Sequence, residues 1–280
     1  MLAYRKTLLI FCGLLLFVVV AKAQSIKVMT YNIRLDTPVD SVNQWPKRTH
    51  KVFDLIRKYD PDILGVQEAI HHQLMDLIKN LPQYDYVGVG RDDGKTKGEF
   101  SALLYKKERF GVLQQGTFWL SETPDVPGSK SWDAAITRVA SWAKLTDKKT
   151  NKSFLSINTH FDHVGKEARR HSASLLKQKA NELGKDLPLI ITGDFNCTRT
   201  DPPYFTIMKP EGIQLIDPLP GEPIGTFCGF KVNAMECRAI DYLFCTDRWT
   251  PSNYQVITDN DGKYYPSDHL PVMTTFTLKK

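Results

Sequence analysis

The aliphatic run in LPLIITGDFNCT (residues 187–198) stops at Asp194, and an amide, Asn196, follows two positions later. An acid and an amide so placed can align a water molecule and hold an anionic oxygen, and similar residues close other apolar runs. Asn32 follows VMTY, Glu68 follows ILGVQ, His160 follows LSINT, Asp241 sits within AIDYLF, and PSDHLPV brings Asp268 and His269 ahead of a last apolar run. Any one of these also suits a cap or a turn, where Asn, Asp and Ser dominate for local reasons. Their repetition at strand ends points to one polar sheet edge, where α/β folds place their sites. The oxygens of Glu68, Asp268, Asp194, Asn32 and Asn196 suit a hard cation, Mg²⁺ or Mn²⁺. His160 and His269 supply protons or hydrogen bonds near neutral pH. Because such a metal polarises a phosphoryl oxygen, the set describes metal-assisted attack of water on a phosphoester.

Two near matches fail, one on spacing and one on residue type. GRDDGKT (90–96) puts three residues between Gly90 and Gly94-Lys95-Thr96 where a phosphate-binding P-loop needs four, so it reads as a solvated turn. THFDH (159–163) approaches a zinc-binding H-x-H-x-D-H cluster, but Asn158 occupies the place of the first His.

The elements that must position these residues follow from hydrophobic period. SIKVMTYNI (25–33) opens as a strand, WPKRTHKVFDLIRKYD (45–60) as a helix broken at Asp60-Pro61-Asp62, ILGVQE (63–68) as a short strand, and LMDLI (74–78) as the middle of a second helix. YDYVGVG, SALLYKK, GVLQQGTFWLSE, ITRVASWAKL and SFLSINTHFD are successive strand candidates. A helix from about Lys166 to Leu183, closed by Gly184, precedes the opening stretch, and IQLID, AIDYLFC, YQVIT and VMTTFTL follow it as further strands. This reads as one α/β domain of two sheets, partly antiparallel.

MTYNIR, PDILGVQE, NTHFDH, TGDFN, IDYLF and SDHLP occur in that order. With them the chain resembles the endonuclease/exonuclease/phosphatase superfamily, whose members are deoxyribonuclease I-like. The resemblance implies a four-layer sandwich of two mixed β-sheets flanked by helices. It implies Glu68 as the principal metal carboxylate, with Asn32 beside it and Asp268 completing the metal site. It implies Asp194 as the residue that aligns or deprotonates the attacking water, and Asn196 as the amide on a phosphate oxygen. His269, oriented by Asp241, would contact the scissile phosphate; His160 would be a second catalytic His oriented by Glu99, and Arg138 would contact phosphate. TFWLSETPDVPGSKSWDAAITR (117–138) and HFDHVGKEARRHSA (160–173) resemble segments of exported bacterial members, so Asp162, His163 and Arg169 are candidates for substrate choice, while Arg169 and Arg170 on a solvent face is the competing reading.

Composition sets the surroundings. In residues 1–23, Arg5 and Lys6 precede an apolar run from Leu8 to Val20 and then Ala21-Lys22-Ala23, the pattern of a signal peptide. That run is shorter than the ~20 residues a spanning helix needs, so no stable membrane association is expected after cleavage. The expected mature domain is 24–280, exported to a periplasmic or extracellular space and monomeric. Removing Arg5, Lys6 and Lys22 takes the net charge from +6 to +6 − 3 = +3, which neither requires nor excludes a nucleic acid. The two histidines favour a phosphodiester, which makes a nuclease one candidate; a phosphomonoesterase, an inositol phosphate or lipid hydrolase, and an inert binding module are the alternatives. Cys197, Cys228, Cys237 and Cys245 remain after cleavage, as buried thiols or as disulfides in one of three connectivities. A 197–237 bridge would brace two parts of the site.

Overall fold

The computed structural model describes residues 25–184 and 186–279, so the expected signal peptide lies outside the described residues. Strand β1 (Ser25–Asn32) shows the logic of the layers, because its side chains alternate between two cores. Met29 and Tyr31 pack beneath helices, whereas Ile26 and Val28 face a second sheet. Around it lie β2 (Ile63–Ala69), β3 (Tyr84–Val87), β4 (Phe100–Lys106), β10 (Trp249–Val256) and β11 (Val272–Leu278), in the order β10-β11-β1-β2-β4-β3. The second sheet runs β5 (Phe110–Trp119), β6 (Val139–Asp147), β7 (Lys152–His160), β8 (Leu189–Asp194) and β9 (Asp241–Cys245) in sequence order. Each sheet holds one parallel pair, β1 with β2 and β7 with β8, among antiparallel neighbours.

Helices close both outer faces. In α1 (Trp45–Tyr59), Pro46 fits the first turn, where its missing N–H costs nothing, and Asp60 ends the helix in the left-handed region. Its buried Val52, Phe53 and Ile56, with Leu74 and Leu77 of α2 (His71–Asn80), cover Leu64 and Val66 of the first sheet. On the far side α3 (Lys166–Gly184) and α4 (Pro202–Met208) set Ala173, Leu176, Ala180 and Ile207 against Ile157, Leu189 and Ile191. Between the sheets, Val28, Ile63 and Leu103 meet Phe154, Ile190 and Leu243. The result is the expected four-layer sandwich of two mixed sheets flanked by helices. IQLID is the exception: Ile216 makes only an isolated bridge to Cys245, and the segment forms no strand.

Toward the site the apolar filling between the sheets gives way to a polar joint. Asn158 is fully buried; its Nδ2 donates to the carbonyls of Val66 and Ala102, both at 2.9 Å, and its Oδ1 accepts from Gln67 Nε2 at 2.6 Å and Thr192 Oγ1 at 2.9 Å. The residue that stands where a zinc hydrolase would carry a His is therefore a cross-sheet tie. Gly65 sits against it, and a Cβ there would collide with Thr192 Oγ1 and Asn158 Oδ1.

The cysteines depart from expectation. Cys228 and Cys237 form the disulfide, while Cys197 and Cys245 are buried free thiols. Cys197 packs in the core under α3 and α4, out of reach of the exposed loop that carries Cys237. Among the described residues no helix is long and apolar enough to cross a membrane.

Candidate active site

Both parallel pairs end at the same edge, and their last residues meet across the gap between the sheets. Asn32 closes β1 and His160 and Asp194 close β7 and β8 as direct neighbours in the register, with Asp241 opposite Asp194 at the start of β9. Glu68 needs more than a strand end. Leu64 and Val66 point to the helices, so an unbroken β2 would send Glu68 there too; instead the register with β4 slips between Val66 and Ala69, and Glu68 adopts φ 63°. This bulge turns its carboxylate into the site, where Oε1 accepts from Asn32 Nδ2 at 2.9 Å and Oε2 from Leu35 N at 3.1 Å. Asn196 also arrives by a left-handed turn, at φ 47°, with its N–H donating to Asp194 Oδ1 at 2.9 Å. Strand alternation thus ends at Asp194, and an Asx turn delivers the amide two residues on. Gly193 faces Thr159 and Phe195, so its missing Cβ serves the packing of β7 against β8 and not an approaching ligand.

Asn32 is the hub. Its Nδ2 also donates to Asp194 Oδ2 at 3.0 Å and lies 3.4 Å from His269 Nε2. His269 in turn places Nδ1 2.9 Å from Asp241 Oδ2, the same oxygen that accepts the Thr226 hydroxyl at 2.6 Å. Burial alone would lower the His269 pKa, but Asp241, Asp194 and Asp268 outweigh it and carry it up to about 10. His269 is therefore an imidazolium at neutral pH in this arrangement. Burial and the neighbouring Asp241 push Asp194 up to about 7, where a carboxylate can take a proton.

His160 differs in kind. The Asn196 amide is fixed by donating to Phe161 O at 3.1 Å, and its second hydrogen meets His160 Nε2 at 3.1 Å. Nε2 then accepts, although Asp194 Oδ2 lies 3.3 Å away. Burial and the nearby Arg138 hold this imidazole well below its ordinary pKa, so it is neutral.

Arg138 is buried, yet among the described residues its one hydrogen bond runs from Nη2 to His163 Nδ1 at 3.2 Å. Its Nη1 is 3.8 Å from Glu99 and its Nε has no acceptor. Glu99 was expected to orient His160; among the described residues its carboxylate instead takes Arg91 Nη1 at 2.6 Å. Burial raises the Glu99 pKa against the pull of Arg91. Asp268 stands 3.8 Å from Arg34 Nε, and burial together with Glu68 raises its pKa despite His269.

Glu68, His160 and Asp194 bring one ligand atom each within 4.8 Å of one another. The Glu68 and Asp194 carboxylates, both held by the Asn32 amide, form an oxygen-rich donor set that fits a hard divalent cation. Eight of the ten expected site residues line one cavity of about 530 Å³, a size usual for small-molecule sites, while Asn32 and Asp241 stand behind them as supports.

The sequence profile of the Endonuclease/Exonuclease/phosphatase family matches residues 29–269, from β1 to His269. The chain belongs to this family. It is similar to a solved Bacteroides vulgatus endonuclease/exonuclease/phosphatase, at 40% identity and a TM-score of 0.87 over 91% of this chain and 100% of that one. It is equally similar to a Bacteroides thetaiotaomicron mannosyl-6-phosphatase, at 40% identity and a TM-score of 0.84 over 90% of this chain and 99% of that one. Drosophila melanogaster nocturnin shares 24% identity over 84% of this chain, which spans 42% of that protein's length. The family comprises phosphoester-hydrolysing enzymes that generally use a divalent metal, and this chain is one of them by membership.

Several supporting residues had no signal in the sequence. Thr226, which holds Asp241, lies in the turn-rich GEPIGTFCGF; Arg34, which faces Glu68 and Asp268, lies inside MTYNIR without a role; and Arg91 belongs to the loop read as a solvated turn. Arg169 lines the cavity, whereas Arg170 pairs outward with Glu167. Trp119 is buried, with its indole N–H on Arg91 O, and is not available to stack on a base.

Proposed function

We propose that this chain is an exported, Mg²⁺- or Mn²⁺-dependent phosphatase that removes a terminal phosphate from a small phosphorylated compound, of which a phosphorylated sugar is the favoured class. The observation that carries it is Arg138: a buried guanidinium with one hydrogen bond and donors left over beside a cavity is matched by an oxyanion. The 40% identity to the mannosyl-6-phosphatase supports the substrate class. Asp194 takes the proton of the attacking water, the new O–P bond displaces the alcohol oxygen, which takes a proton from solvent, and His269 and Arg138 hold the phosphoryl oxygens, while Asn196, with both amide hydrogens engaged, holds His160 and Asp194 in place. The expectation of a phosphodiester rested on two histidines working at phosphorus, and His160, neutral and accepting from Asn196, gives no proton donor facing Asp194. Export is supported by the residue 1–23 pattern and by the Cys228–Cys237 disulfide, since such bonds persist in oxidising compartments. We propose a monomer as the working unit.

The test is a panel of hexose 6-phosphates, nucleoside monophosphates, p-nitrophenyl phosphate, bis(p-nitrophenyl) phosphate, DNA and RNA, each with Mg²⁺, with Mn²⁺ and with EDTA. Metal-dependent phosphate release from the monoesters, lost in Asp194→Ala, is expected. Turnover of diesters alone, or turnover that survives EDTA, would overturn the reading.

A further inference from the structure

Beyond the residues that surround phosphorus, one wall of the cavity carries groups with no part in the reaction. Arg169 reaches it from α3, anchored by one Nη1 bond to Asp162 O at 2.8 Å. Asp201 stands on the same wall, and only its Oδ2 is engaged, by Thr198 N at 2.7 Å and Thr198 Oγ1 at 2.9 Å. Its Oδ1 has no hydrogen bond among the described residues. His163 completes the set. A guanidinium can only donate, so the bond from Arg138 makes His163 Nδ1 an acceptor and places the ring proton on Nε2. Phe227, whose ring lies 4.9 Å from that of His269, and Ile240 add apolar surface to the same cavity.

A free carboxylate oxygen, a guanidinium and an imidazole N–H around an aromatic patch match a ring that presents several hydroxyls on one side and C–H groups on another. The carboxylate accepts from two hydroxyls where the guanidinium and imidazole donate to their oxygens. The same carboxylate is a poor neighbour for a polyanion, whose flanking phosphates it would repel. We propose that Asp201, Arg169 and His163 form a leaving-group subsite that recognises the hydroxyls of a phosphorylated polyol. This deepens the phosphatase reading above and rests on it. It makes these three lining residues the part of the site that chooses the substrate, while the phosphoryl half is indifferent to the alcohol.

Asp201→Asn tests it cleanly, because the amide oxygen can keep both Thr198 bonds while the unengaged acceptor becomes a donor. The readout is the ratio of kcat/KM for a hexose 6-phosphate to that for p-nitrophenyl phosphate, whose ring has no hydroxyl. The ratio is expected to fall at least tenfold, through KM for the sugar phosphate, and likewise in His163→Gln. A ratio within twofold of the parent in both variants overturns the subsite. Calorimetric binding of hexose 6-phosphate to the catalytically disabled Asp194→Asn chain separates this from the activity itself. If the parent hydrolyses no monoester, the phosphatase reading fails, and the subsite stands or falls on whether Asp201→Asn in the Asp194→Asn background weakens that binding tenfold or leaves it unchanged.

Discussion

Asn158→Ala should be among the costliest single substitutions in the chain, although position 158 touches no substrate. Four hydrogen bonds at 2.6–2.9 Å tie its carboxamide to β2, β4 and β8. Two of the partners keep an alternative: Gln67 still donates to Thr30 Oγ1 and Thr192 Oγ1 still reaches Ile157 O. The carbonyls of Val66 and Ala102 lose the donor between the sheets. At about 1 kcal/mol net per bond, the loss runs from about 2 kcal/mol if only the carbonyls suffer to about 4 if all four bonds count. With a urea slope of about 3 kcal/mol/M, the unfolding midpoint falls by about 0.7–1.3 M. The matched control is Ser156→Ala, two residues earlier on the same strand, where a buried hydroxyl has no partner and its removal should change stability by less than ~0.5 kcal/mol. Tryptophan fluorescence during urea unfolding measures both. A loss under ~1 kcal/mol for Asn158→Ala, or an equal loss for the two variants, would refute the view that the joint holds the sheets together by satisfied polar contacts.

Other expectations follow from the same geometry. In the metal-free protein, burial lifts Asp194 from 3.8 to about 7, so its ionisation opposes folding as pH rises through that window. Asp194→Asn should therefore raise the unfolding temperature at pH 8, with the gain vanishing toward pH 4; a gain independent of pH would contradict this. Thr226→Val removes the hydroxyl that fixes Asp241 Oδ2 and should lower kcat about tenfold with KM little changed, measured by steady-state kinetics on a monoester. Replacing Cys228 and Cys237 by Ser opens a loop of sequence separation 9 and should cost about 2–3 kcal/mol in urea unfolding, with no change if the bond fails to form in the purified protein.

What could be read from the sequence was the pattern of strand ends. Asn32, His160 and Asp194 sit at the last positions of β1, β7 and β8, and the apolar runs ahead of them announce it. Glu68 and Asn196 were legible as residues but not as geometry, since a bulge and a left-handed turn bring them in where alternation would not. Long-range partners were out of sight. Glu99 takes Arg91, a loop residue, instead of His160, and Cys228 takes Cys237 because both belong to one short excursion while Cys197 is sealed in the core. Asn158 was visible only as a failed zinc motif; its value depends on which strands face it, and a linear pattern does not record that.

The division of the site between two sheets also fixes when activity can appear. Asn32 and Glu68 belong to the first sheet, Asp194 and Asp241 to the second, and His269 precedes β11, which returns to pair with β1. A chain emerging from synthesis thus carries nearly all of its reactive groups long before it can use any of them. Only when the last strand docks beside the first does the edge close, so hydrolysis becomes a report that the whole chain has arrived. That ordering keeps the partly folded form inert toward phosphoesters.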